Sequence, residues 1–139
     1  MFKKINLQFV LSYLGLLPFL IILSDKFFFQ LLDYNIVNDF SIFYSIIIFV
    51  FIGAINWNLN TNISILVILI GFMPSLASVL IIIMFLYSYE VINYLVILFI
   101  IQLISEYFIY KKQNSGVAFY QLRVPLTLTI LLCLIFIQF

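Results

Sequence analysis

The chain has 139 residues, 67% hydrophobic and 8% charged, with a net charge of +1. Soluble domains run to about 45–50% apolar and about 25% charged residues, and a fold this small could not bury so much apolar surface. Composition therefore excludes a soluble globular domain and a basic nucleic-acid-binding surface; with no histidine present, it also removes the usual metal ligand and proton shuttle. What remains is an integral membrane protein in contact with the lipid bilayer.

Five apolar segments follow one another, at about residues 6–24, 41–59, 63–87, 91–110 and 121–139. Each is close to the roughly 20 residues a helix needs to cross about 30 Å of hydrocarbon. Strands of a membrane barrel would instead show about ten residues of alternating polarity. The expected fold is all-α: a single domain over 1–139, a compact bundle of five transmembrane helices.

In the first segment, Lys3 and Lys4 precede an apolar run, as in a signal peptide. No small-x-small cleavage site follows, since the run ends in IILSDK, so an uncleaved span is expected. GLLPF places Pro18 within it, a candidate kink. The next connection, DKFFFQLLDYNIVNDF, is the longest, and its aromatic and acidic residues suit the membrane interface.

The second segment ends in FIGAINWNLN, around the only tryptophan, Trp57. Trp57 reads as an interfacial anchor, and Asn58 and Asn60 as residues that end the helix in water. Gly53, Asn56 and Asn60 share one helical face. Glycine lets a neighbouring helix approach and asparagine can hydrogen-bond across the contact, a bond worth less than about 1 kcal/mol, so packing is the expected role.

The third segment carries GFMPSLAS. Pro74 cannot donate to the carbonyl of Ile70, which makes it the second candidate kink. Gly71, Ser75 and Ser78 form a stripe of small residues beside it. Helix packing around the kink is the simpler reading; a broken helix whose freed carbonyl holds an ion is the other.

Glu106 falls near the end of the fourth segment, with Gln102 one turn earlier. Arg123 opens the fifth, with Thr127 on its face. A charge within a membrane helix costs several kcal/mol unless it pairs or snorkels. The simplest hypothesis is a Glu106–Arg123 ion pair; independent snorkelling and a proton- or ion-handling site are the alternatives. If the pair supports folding, reversing both charges restores protein that single reversals lose. Asn56, Trp57, Glu106 and Arg123, with Gly53, are expected to form one polar cluster at the cytoplasmic side. The lone Cys133, in LLCLIF, reads as a small core or lipid-facing residue.

Orientation follows from the basic residues. Lys3, Lys4, Lys111, Lys112 and Arg123 fall on one side of five spans, and only Lys26 on the other, beside Asp25, Asp33 and Asp39. The positive-inside rule places the N-terminus in the cytoplasm and the C-terminus outside.

Four motifs in order carry a family resemblance: GLLPF at residues 15–19, FIGAINWNL at 51–59, MPSL at 73–76 and YQLRVPLT at 120–127. The chain resembles the uncharacterised membrane proteins typified by transmembrane protein 69, the domain of unknown function 3429. The resemblance implies about five spans. It also implies a histidine where this chain has Asn56, glycines where it has Ala54 and Asn58, and an aspartate where it has Glu106. It implies no activity.

Three classes of function are weighed. The first is a structural, interaction or assembly component of the inner (cytoplasmic) membrane of a bacterium, preferred over an organelle membrane. It would act through a membrane-protein partner or by self-association. Short loops and helix-packing residues favour it. The second is a small homo-oligomeric transporter or channel that uses Pro74 and the polar cluster. The third is a membrane enzyme, for which only Glu106 offers an acid or base. The reading is no enzyme, no cofactor, no metal and no nucleic-acid partner.

Overall fold

The computed structural model describes residues 7–55, 64–112 and 119–138. The elements in them are α1 (Leu7–Leu14), α2 (Leu17–Ser24), α3 (Tyr34–Ile55), α4 (Ile65–Leu86), α5 (Ile92–Lys112) and α6 (Val124–Gln138). Two wide π-helical turns, at Asp25–Phe29 and Phe119–Arg123, complete them. The described chain is all-helical and has five helices long and apolar enough to cross a membrane: Ser12–Phe29, Tyr34–Ala54, Ile65–Leu86, Ile92–Lys111 and Tyr120–Gln138. The chain divides into two units, Met1–Ser41 with Val117–Phe139, and Ile42–Gly116.

In the first unit, proline decides where helices break. Pro18 has no N–H for the carbonyl of Leu14, four residues back, and α1 stops there. The Leu16 N–H turns back to the Tyr13 carbonyl at 3.0 Å, and the Leu20 N–H restarts the ladder on Leu16 at 3.1 Å. The first span is thus two short helices joined by a tight turn. Pro125 acts in the same way: it cannot donate to the carbonyl of Gln121, and the chain passes through the wide turn just before it.

Span one packs along span five, with α2 against α6. The two run parallel. Near their starts, the Tyr13 hydroxyl donates to the Gln121 carbonyl at 2.7 Å. Near their ends, the Lys26 ammonium donates to the carbonyls of Phe136 at 3.0 Å and Ile137 at 2.7 Å.

The connection expected to be the longest shrinks to residues 30–33, because both flanking elements run into it. α3 begins at Tyr34 rather than near Ser41. The Val37 N–H donates to the Asp33 carbonyl at 3.1 Å, and aspartate is a favoured residue just ahead of a helix. The polar residues Asn35, Asn38 and Asp39 lower the local hydropathy, yet they stay off the buried stripe. That stripe is Val37, Ser41, Ser45, Phe49 and Ile52, at helical spacing. Residues 56–59 of the expected second span lie outside the described residues.

In the second unit, α3 and α4 are antiparallel: Phe43 meets Phe85 edge-on, with ring centroids 5.1 Å apart, and Gly53 meets Gly71 and Pro74. Phe49 of α3 meets Phe99 of α5, also edge-on at 5.1 Å, an arrangement that suits the ring quadrupoles. α4 also packs on α5. It ends in two reversed bonds, Tyr89 N–H to the Met84 carbonyl at 3.1 Å and Ser88 N–H to the Phe85 carbonyl at 2.9 Å. These satisfy its last carbonyls, with Ser88 left-handed at φ 61° where glycine is usual.

Candidate functional site

Two expected site residues, Asn56 and Trp57, lie outside the described residues. Gly53 lies within them and brings α3 against α4 at backbone distance. A Cβ there would stand 2.7 Å from the Gly71 carbonyl oxygen and 2.7 and 2.9 Å from the Pro74 ring. Only glycine lets the two helices meet at backbone distance. Gly71, Pro74 and Ser78 are buried with it. The Ser78 hydroxyl donates to the Pro74 carbonyl at 2.7 Å, a local bond that keeps this serine apolar toward its surroundings. α4 runs on as one helix through Pro74, and α3 fills the space against the proline ring.

Glu106 takes its place from the same kind of periodicity. The buried residues of α5 and its approach are Val91, Ile92, Leu95, Phe99, Gln102, Glu106 and Ile109. Glu106 is therefore on the inward stripe, and it is 1% exposed. One turn earlier Gln102, also buried, donates its side-chain N–H to Glu106 Oε1 at 3.1 Å. A charge-assisted bond of this kind offsets part of the cost of taking a carboxylate out of water.

Arg123 belongs to the other unit. Arg123 closes the wide turn before α6 and is 4% exposed; Thr127, one turn on, is 3% exposed. Thr129 donates its hydroxyl to the Pro125 carbonyl at 2.8 Å, repeating the proline-plus-four pattern of Ser78. Pro18 stands in the first turn of α2, immediately after the break. Cys133 is buried. Among the described residues, no three of the histidine, cysteine, aspartate and glutamate type come together as a metal site would need.

The polar bonds that join span one to span five were not foreseen. Nothing next to Tyr13 in the sequence calls for a donor. The signal lay at Pro125, whose missing N–H leaves the Gln121 carbonyl in want of one. Asp25 and Lys26 read as loop charges, but the structure buries Asp25 and holds the Lys26 ammonium on the carbonyls of Phe136 and Ile137.

Over residues 6–139 the sequence matches the model of a family described as "Protein of unknown function (DUF3429)". The chain belongs to this family. No curated protein and no solved structure matches it. The DUF3429 match takes in the Gly53 contact, the Gln102 and Glu106 pair and Arg123 alike.

Proposed function

We propose that this DUF3429 protein is a structural or assembly component of a bacterial inner (cytoplasmic) membrane, packing with and stabilising a larger membrane complex. The observation that carries the reading is the contact of Gly53 with Gly71 and Pro74. There Pro74, which in the sequence could also have marked a broken transport helix, serves close packing. No catalytic role is part of the proposal.

The N-terminus is placed in the cytoplasm. The excess of basic residues before spans one and five supports this, as does the parallel run of those spans, which puts their starts on one side. Kinship with transmembrane protein 69 is inferred from the four motifs in order. A second reading, a small homo-oligomeric transporter or channel, draws support from the buried Gln102 and Glu106 pair. Ionisable groups inside a membrane helix often mark an ion path.

One experiment separates the two. The protein is tagged at its N-terminus, extracted in mild detergent from its own membrane and analysed for what accompanies it. A stoichiometric membrane complex is the expected result. A pure homo-oligomer whose ion flux in liposomes is abolished by Glu106→Gln would sink the assembly reading in favour of transport.

A further inference from the structure

At the end where spans one and five finish, the chain does the reverse of what a water-washed loop does. Asp25 is buried and Lys26 half-buried, while Asp33 at the far edge is exposed. Asp25 is 7% exposed; its carboxylate accepts the N–H of Leu31 at 3.3 Å and of Leu32 at 3.1 Å. Its carbonyl accepts the N–H of Gln30 at 2.6 Å, and Gln30 is left-handed at φ 51° to make that closure. The Lys26 ammonium is held on the Phe136 and Ile137 carbonyls, with the rings of Phe27 and Tyr34 at 6.0 and 5.8 Å. The apolar side chains point out: Phe28 and Leu31 are each 82% exposed, and Phe29 65%.

We propose that residues 25–32 form a lipid-inserted turn, with Phe28, Phe29 and Leu31 in the hydrocarbon edge of the bilayer. In water the arrangement has no driving force. Free charges there gain little from internal pairing, and exposed phenylalanine and leucine are unfavourable. In lipid both signs reverse. Backbone and charged groups must then find partners within the protein, because no water offers them. The bonds of Asp25 and Lys26 supply those partners for the turn and for the last carbonyls of α6, where a cation also suits the helix dipole. The exposed tip is continuous with the exposed apolar residues of the spans it joins, Ile21 of α2 and Ile36 of α3 among them. The surface that meets lipid along α2 therefore carries on around the tip as far as Leu32, where the exposed Asp33, Asn35 and Asp39 begin a polar edge. This reading needs only the membrane-spanning helices and is independent of the assembly proposal.

The test places a single cysteine at Phe28 or Leu31 in a Cys133→Ala chain and labels it with a nitroxide. The protein is reconstituted in vesicles of phosphatidylethanolamine and phosphatidylglycerol. Both sites are almost free of protein contacts, so either label leaves packing intact. Unchanged gel-filtration behaviour checks this. Glu90→Cys, in the exposed connection before α5, is the reference for water. Power saturation then compares dissolved oxygen, which concentrates in hydrocarbon, with a water-soluble nickel chelate. The expected oxygen-to-nickel ratio at 28 and 31 is several-fold above that at 90. A ratio equal to that at 90 would overturn the proposal by placing the tip in water. Shielding from both reagents in native membranes, lost on purification, would also overturn it, by showing that a protein covers the tip.

Discussion

The two units of this chain hold their helices together by different means. In the first, spans one and five are joined near both ends by side chains that reach backbone carbonyls: Tyr13 to Gln121, and Lys26 to Phe136 and Ile137. In the second, the same task falls to shape. Gly53 lies against Gly71 and Pro74, and the Phe43–Phe85 and Phe49–Phe99 pairs meet edge-on. Lipid tails are as apolar as the helices, so burial gives no drive for association within the membrane; packing and hydrogen bonds remain, and the first unit adds long-range hydrogen bonds to ring contacts such as Phe27–Phe136. The difference teaches that proline has two uses here. Pro125 leaves a carbonyl that another helix satisfies, whereas Pro74 offers a ring against which another backbone fits.

The comparison is broken most strongly at the shape-held unit. Gly53→Ala introduces a Cβ 2.7 Å from a carbonyl oxygen and a proline ring, and neither can rotate away. A loss of about 2–3 kcal/mol is expected, the upper part of the range for overpacking. Unfolding by sodium dodecyl sulfate in mixed micelles, followed by circular dichroism, measures it. A variant as stable as the parent would mean that the helices do not meet at this distance.

A smaller effect is expected at the first unit. Lys26→Met keeps the length of the side chain but removes the ammonium from two carbonyls. About 1.5 kcal/mol should be lost in the same titration, near the upper end for polar contacts measured in membranes. Lys26→Arg should recover part of it, which a purely steric role for residue 26 would not predict.

The smallest change sharpens the contrast. Tyr13→Phe deletes only one hydroxyl, and about 0.6 kcal/mol is the typical worth of such a bond between membrane helices. If Tyr13→Phe proved as damaging as Gly53→Ala, the Gln121 carbonyl would have no alternative donor, and the division between polar and shape-held units would fall.

Much of the fold was legible beforehand. The hydropathy of IFYSIIIFV or LLCLIFIQ is enough to mark a span, and the order of spans follows. The early start of α3 was obscured by Asn35, Asn38 and Asp39, because a hydropathy average does not ask which face a residue occupies. The inward place of Glu106 was partly legible from its spacing to Gln102. The roles of Asp25 and Lys26 were not, since a charged pair in a loop ordinarily faces water.

A helix in hydrocarbon must satisfy its own backbone, so the information for each span is local. That is why the amino-acid sequence by itself marked the five spans, the irregularity at Pro18 and the shared face of Gln102 and Glu106. The partners of the side chains that stand outside that local accounting were decided only by the tertiary structure. Tyr13 finds its acceptor 108 residues away, and Lys26 finds its two at 110 and 111. No periodicity encodes such a pairing; it exists only once spans one and five lie side by side.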